Sequence, residues 1–143
     1  MEEVKTLELV IESDGGERLV FQVKKLVIAG YTSRDQDQIQ KHMEELKKEG
    51  IAGPNKIPAF CPKIPDRITT DDITVLADSK TSGEAEFVLL IGKDEIYVGI
   101  GSDHTDRELE KYSMLLSKQM YPCVISKKVW RYRDVKKQWD NML

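Results

Sequence analysis

Five consecutive apolar residues, Phe87-Val88-Leu89-Leu90-Ile91, follow Gly83-Glu84-Ala85-Glu86 and end at Gly92-Lys93-Asp94. So short a run, apolar on both faces and closed by turn residues, is best satisfied by a strand covered on both sides. It predicts a central strand that Gly92-Lys93-Asp94 turns into a second one, Glu95 to Ile100, closed by Gly101-Ser102-Asp103. The same run is far shorter than the ~20 residues a membrane helix needs. Met1-Glu2-Glu3 has neither the basic nor the apolar segment of a leader. The expectation is a cytoplasmic chain with no membrane segment. Cys61 and Cys123 are far apart and form no CxxC, so both read as free thiols in a reducing compartment.

A chain of 143 residues buries enough surface to fold without staples, so residues 1–143 are expected to form one domain. With 22 Lys and Arg against 25 Asp and Glu, the net charge of −3 argues against a dedicated DNA-binding domain. Thr6 to Ile11 and Leu19 to Val23 are β-prone runs joined through Asp14-Gly15-Gly16, which predicts a hairpin. A third run, Leu26 to Ala29, ends at Gly30. Ser33 then precedes helix formers from Asp35 to Lys48, where Ile39, Met43 and Leu46 recur at helical spacing and Gly50 stops the helix. Pro54, Pro58, Pro62 and Pro65 make the stretch from Ala52 to Asp66 an irregular connection, with Ile57, Ala59 and Phe60 available to pack. Ile73 to Leu76 reads as a short strand. Thr105 and Glu108 have the spacing of a capping box for a helix running to about Met120, which Pro122 stops. Val135 to Leu143 is a last amphipathic piece. The class is α+β, mainly β, with two or three helices.

Side chains alternate across a strand, so Glu84 and Glu86 share a face about 7 Å apart, at the polar entry of the apolar run. Two like charges there suit a hard divalent cation, above all if Asp103 arrives from the end of the neighbouring strand as a third oxygen ligand. Isolated ExE motifs are mostly solvated strand ends, and Ser-Asp-His-Thr before a helix is also ordinary capping chemistry. No HxH or HExxH spacing brings His104 into a metal site.

The segment from Gly83 to Lys93 resembles the Glu-x-Glu-Leu-x-x-Val-Ile-Gly-Lys stretch of the fumarylacetoacetate hydrolase superfamily. Ser102 to Leu109 is similar to that superfamily's Asn-Asp-x-Ser-Ala-Arg-Asp-Leu. Ser117-Lys118 before Pro122, Val27 to Tyr31, and Pro58-Ala59-Phe60 resemble three more of its segments in the same order. Gly101 to Arg107, Ser117 to Met120 and the terminal Trp-Asp look like an uncharacterised bacterial branch. The resemblance implies a β-roll in which Glu84, Glu86 and Asp103 bind Mg²⁺ or Mn²⁺, with Ca²⁺ also suited to three carboxylates. It implies a small 2-oxo acid or 1,3-dicarbonyl substrate, whose C–C bond is hydrolysed or which is decarboxylated, tautomerised or hydrated. Lys118 then matches a lysine that holds a substrate carboxylate or developing oxyanion, and Arg107 an arginine that orients the site carboxylates.

Where many superfamily members carry a lid histidine, this chain has Thr32-Ser33-Arg34-Asp35-Gln36. Gln36 cannot act as a base. Asp35 would serve if its pKa were raised, and His42 lies two turns further along the same helix. The superfamily's roll continues beyond the position of Leu143, so the resemblance implies an incomplete roll. Its edges would then be covered by a homodimer partner or by a separately encoded C-terminal portion. Two other classes compete. A non-catalytic interaction domain would keep the fold without a complete pocket. A nucleic-acid binder would use Lys127 to Arg133 with Lys136-Lys137, a stretch that otherwise reads as a solvated lysine-rich face. The expectation is no nucleic-acid partner.

Overall fold

The computed structural model describes residues 4–76 and 80–142. The first hairpin forms as expected: β1 (Lys5–Ile11) and β2 (Glu17–Val23) pair antiparallel from Lys5↔Val23 to Ile11↔Glu17. Gly15 and Gly16, at φ 74° and 95°, take the left-handed conformations of the turn that L side chains resist. β3 (Leu26–Gly30) follows, and then α1 (Gln36–Lys48). The helix begins where the Asp35 carboxylate accepts from the backbone N–H groups of Asp37 and Gln38, at 3.0 and 3.3 Å. It ends in Lys47 and Lys48, with Gly50 at φ 80° just beyond. Ile39 and Leu46 are buried from the expected stripe.

The proline-rich connection is more regular than its composition predicts. Its second half is β4 (Ala59–Lys63), antiparallel to β3 with Val27↔Pro62 in register. A two-stranded ladder leaves one free edge on each strand, the setting in which proline is tolerated. Ala59, Cys61 and Lys63 face inward, whereas Phe60 and Ile57 are exposed instead of packed. Residues 73–76 form no strand. The pairing falls earlier, at β5 (Ile68–Thr69).

The main sheet is completed by β6 (Thr81–Ile91), β7 (Ile96–Asp106) and β8 (Cys123–Arg131), in the order β2-β1-β8-β7-β6. It is mixed, because β1 and β5 pair parallel with β8 while β8 with β7 and β7 with β6 pair antiparallel. Leu9, Ile11, Ile125 and Val129 are at most 1% exposed and centre the core, to which each contributes roughly 1.5–3 kcal/mol. The apolar run therefore lies at the edge of the sheet and not at its centre. Val88 and Leu90 face the core, but Phe87, Leu89 and Ile91 are 54, 44 and 70% exposed. Trp139 reaches only the rim of that outer face, its ring 5.1 Å from Phe87.

β7 also runs on through Asp103 to Asp106, past its expected end. Asp106, and not Thr105, caps the following helix, accepting from Leu109 N at 2.9 Å, and Thr105 is a buried strand residue. The single helix expected to reach Met120 is two, α2 (Arg107–Glu110) and α3 (Met114–Gln119), because Ser113 re-caps the chain by accepting from Leu116 N. With α4 (Tyr132–Val135), which a 3₁₀ stretch (Lys136–Asn141) continues, the described residues hold four α-helices where two or three were expected. None is long and apolar enough to cross a membrane.

Gly101 fixes the contact of β7 with both neighbours. A Cβ there would stand 2.7 Å from Val88 Cγ2 and 2.8 Å from the Val124 carbonyl oxygen, beside the register shift between Gly99 and Gly101. The carbonyl cannot rotate away. Gly101→Ala is expected to cost at least about 1–3 kcal/mol, read as a lower denaturant midpoint at unchanged slope.

Candidate functional site

The β6–β7 register places Glu84 directly opposite Asp103, and Glu86 opposite Gly101 on the same face. Paired like charges destabilise a ladder unless something compensates them. Here two cations do. Arg107, which opens α2, donates from Nη2 to Glu84 Oε1 at 2.8 Å and from Nη1 to Glu110 Oε2 at 2.7 Å. Lys118, from α3, donates to Asp103 Oδ2 and, at 2.6 Å, to Thr105 Oγ1. β3, α1 and β4 cover these groups, enclosing a cavity of about 160 Å³ lined by Glu84, Glu86, Asp103, Arg107, Glu110 and Lys118 together with Tyr31, His42 and Cys61.

Asp103 is 3% exposed, and its Oδ1 is buried with no hydrogen-bond partner among the described residues. A buried, unpaired carboxylate oxygen is costly and marks a place where a ligand would be stabilised. Glu86 is exposed, but partial desolvation at the cavity raises its carboxyl above the ordinary range, and the neighbouring Glu84 and Asp103 push it further, against the opposing pull of Lys118. Tyr31 adds strain. It has φ 57°, in the left-handed region, at a cost of roughly 1–3 kcal/mol that a residue retains only where its surroundings hold it. Its ring lies 5.6 Å from that of His42, and burial, then Glu110, raises the phenol's pKa. The hydroxyl therefore stays a donor.

Of the residues singled out in the sequence, Glu84, Glu86, Asp103, Arg107 and Lys118 meet in this cavity. Asp35 does not. Its carboxylate is exposed and spent on capping α1, while His42, two turns on, lines the cavity. Among the described residues no three His, Cys, Asp or Glu groups are gathered closely enough to hold a metal ion; Arg107 and Lys118 occupy two of the three carboxylates. His104 lies on the opposite face, against Thr81 and Tyr121. Glu110 and Tyr31 had no sequence signal beyond their neighbours: Glu110 is one charge in a polar helix, and only the fold turns it inward. Cys61 and Cys123 are free and buried. In the basic stretch, Lys128 pairs with Glu12, Arg131 with Glu17, and Arg133 with Glu95, so these cations neutralise the sheet's own acids.

The raised Glu86 pKa has a definite sign. In the interval between its ordinary and raised values the folded chain binds more protons than the unfolded one, so stability falls as pH rises through that interval. Without divalent cation, Glu86→Gln should be more stable than the parent at neutral pH. The advantage should vanish below the ordinary carboxylate range, as read by denaturant melts at both pH values.

A family model described as "Protein of unknown function (DUF2848)" matches residues 29–143, a span that includes every charged residue of the cavity. No curated protein and no solved structure matches the chain.

Proposed function

The chain belongs to the DUF2848 family, whose description assigns no activity; from the charge of the site we propose a divalent-metal-dependent enzyme, and from the resemblance of its residues to the fumarylacetoacetate hydrolase superfamily a small 2-oxo acid or 1,3-dicarbonyl substrate. The carrying observation is one of charge. The cavity holds four carboxylates, Glu84, Glu86, Asp103 and Glu110, against two fixed cations, Arg107 and Lys118. That leaves the charge of one divalent cation uncompensated beside the unpaired Asp103 Oδ1. The donor set is all oxygen, which suits Mg²⁺ or Mn²⁺, and Ca²⁺ as well. The same residues carry the resemblance to the fumarylacetoacetate hydrolase superfamily, and its β-roll belongs to this proposal.

Glu84, Glu86 and Asp103 would hold the ion, which when bound supplies Lewis acidity toward the substrate's oxo group. Lys118, its ammonium already turned into the cavity, holds the substrate carboxylate or the oxyanion that develops. Arg107 stays fixed by Glu110 and orients Glu84. His42, the one imidazole among the described lining residues, moves the proton; Asp35 does not line the cavity, and its carboxylate caps α1. C–C hydrolysis, decarboxylation, tautomerisation and hydration all use this set.

The first test is a thermal melt with and without Mg²⁺ or Mn²⁺. At a hundredfold excess over Kd the ion should stabilise the fold by about 2.7 kcal/mol, a rise in Tm on the order of 5–10 °C. The rise should be lost in Glu84→Ala/Glu86→Ala and kept in His42→Gln. A flat response in the parent would discard the metal reading.

The exposed face of Phe87, Leu89, Ile91 and Ile100, at the open edge of β6, supports a second reading, in which the chain works as a subunit. An apolar face beside an unpaired strand edge is stabilised by a partner. A second copy of the chain is the proposed partner. Sedimentation should give a dimer for the parent and a monomer for Leu89→Glu; a monomeric parent would refute self-association.

A further inference from the structure

Glu86 has neither a hydrogen bond nor an ion pair among the described residues, although Arg107 and Lys118 serve its neighbours Glu84 and Asp103. Asp103, whose side chain is 5% exposed, lines the same cavity and keeps Oδ1 unsatisfied. Glu84 accepts from Arg107 and Ser82 at Oε1, which leaves its Oε2 unspent among the described residues. Three carboxylates thus each keep an acceptor while both fixed cations stay in place. Their spacing decides what can use them. Glu86 lies diagonally across the ladder from Asp103, a relation that sets two residues roughly 7–8 Å apart. A divalent ion at about 2.0–2.6 Å needs its oxygens roughly 3 Å apart, so the carboxylates would have to close up and shed Arg107 and Lys118. An ammonium group has diverging N–H donors and takes charged oxygens at about 2.8 Å, which stand roughly 4.5 Å from one another. It tolerates the wider spacing and leaves both ion pairs intact.

We infer that the metal-free cavity binds a small primary ammonium compound, whose N–H donors are shared among Glu86, Glu84 Oε2 and Asp103 Oδ1. The inference stands apart from the metal reading, since it keeps the ion pairs that a metal would break, though both draw on the same negative charge. Four carboxylates against two cations attract any cation. The N–H donors select among cations, because a buried acceptor is satisfied by a hydrogen bond and not by charge alone. Glu86, exposed on the edge strand, meets the ammonium first. Tyr31, Thr32 and His42 line the cavity further with hydroxyl and imidazole groups, which suit a neutral polar end on the ligand.

Ethanolamine and choline are the matched probes. Both carry one positive charge and a hydroxyethyl arm, but only ethanolamine has N–H donors on its nitrogen. With EDTA present to exclude metal, calorimetric titration of the parent should give at least about tenfold tighter binding of ethanolamine than of choline. Glu86→Gln, whose metal-free fold should be no weaker than the parent's, should bind ethanolamine at least about tenfold less tightly than the parent does. Equal binding of the two probes by the parent would mean attraction by charge alone and would overturn the inference. So would an absence of ethanolamine binding, or its unchanged binding by folded Glu86→Gln. The parent's ratio decides the matter even if the variant fails to fold. None of these results bears on the metal reading, which the melt with Mg²⁺ or Mn²⁺ decides separately.

Discussion

Glu84 faces Asp103 on the inner face of a ladder that turns hydrophobic at Val88 and Leu90, and much of the local architecture answers that repulsion. Asp103 is buried and Glu84 half-buried, and setting two carboxylates side by side there is costly unless cations and donors surround them. α2 delivers Arg107 to one, and α3 delivers Lys118 to the other. The break between those helices at Ser113 is what lets two short segments bring in two cations, where one continuous helix would have put both on a single line. Removing either cation would strand a buried charge.

β8 makes this geometry rigid. It pairs with β7 along one edge and with β1 and β5 along the other, so the strand carrying Asp103 is backed by the core. Among the described residues β6 has no such backing on its far side. Glu84 and Glu86 thus sit on the edge strand, held by the pairing with β7 and the Arg107 bridge, and covered by the layer of β3, β4 and α1. Gln119 and Lys63 tie that layer to the α3 end of the site, donating to Pro62 O and Tyr121 O at 3.0 and 2.6 Å.

The functional reading depends on which interactions persist when charge enters the cavity. Ion pairs between site residues are exchangeable, because each buried carboxylate can trade one positive partner for another at small net cost. Arg107 bridges Glu84 and Glu110, and so it ties the carboxylates of β6 to α2.

The hairpin, the third strand, α1 and the β6–β7 turn were legible in the sequence because each depends on contacts within about ten residues: glycines at the turns, a capping aspartate, a stripe at helical spacing. The site was legible in part for the same reason. Period-two alternation alone puts Glu84 and Glu86 on one face, and a short turn brings Asp103 near them. The strand in the proline-rich stretch was hidden, since proline's ban on strand interiors does not apply where every strand is an edge. Local pattern could not tell a central from an edge position for Phe87 to Ile91 either, because an apolar residue reads alike whether core or unfilled surface faces it. Choosing His42 over Asp35, and bringing Glu110 and Tyr31 inward, required α1 and α2 to be docked. Those placements rest on contacts among segments distant in sequence, which no short-range periodicity encodes.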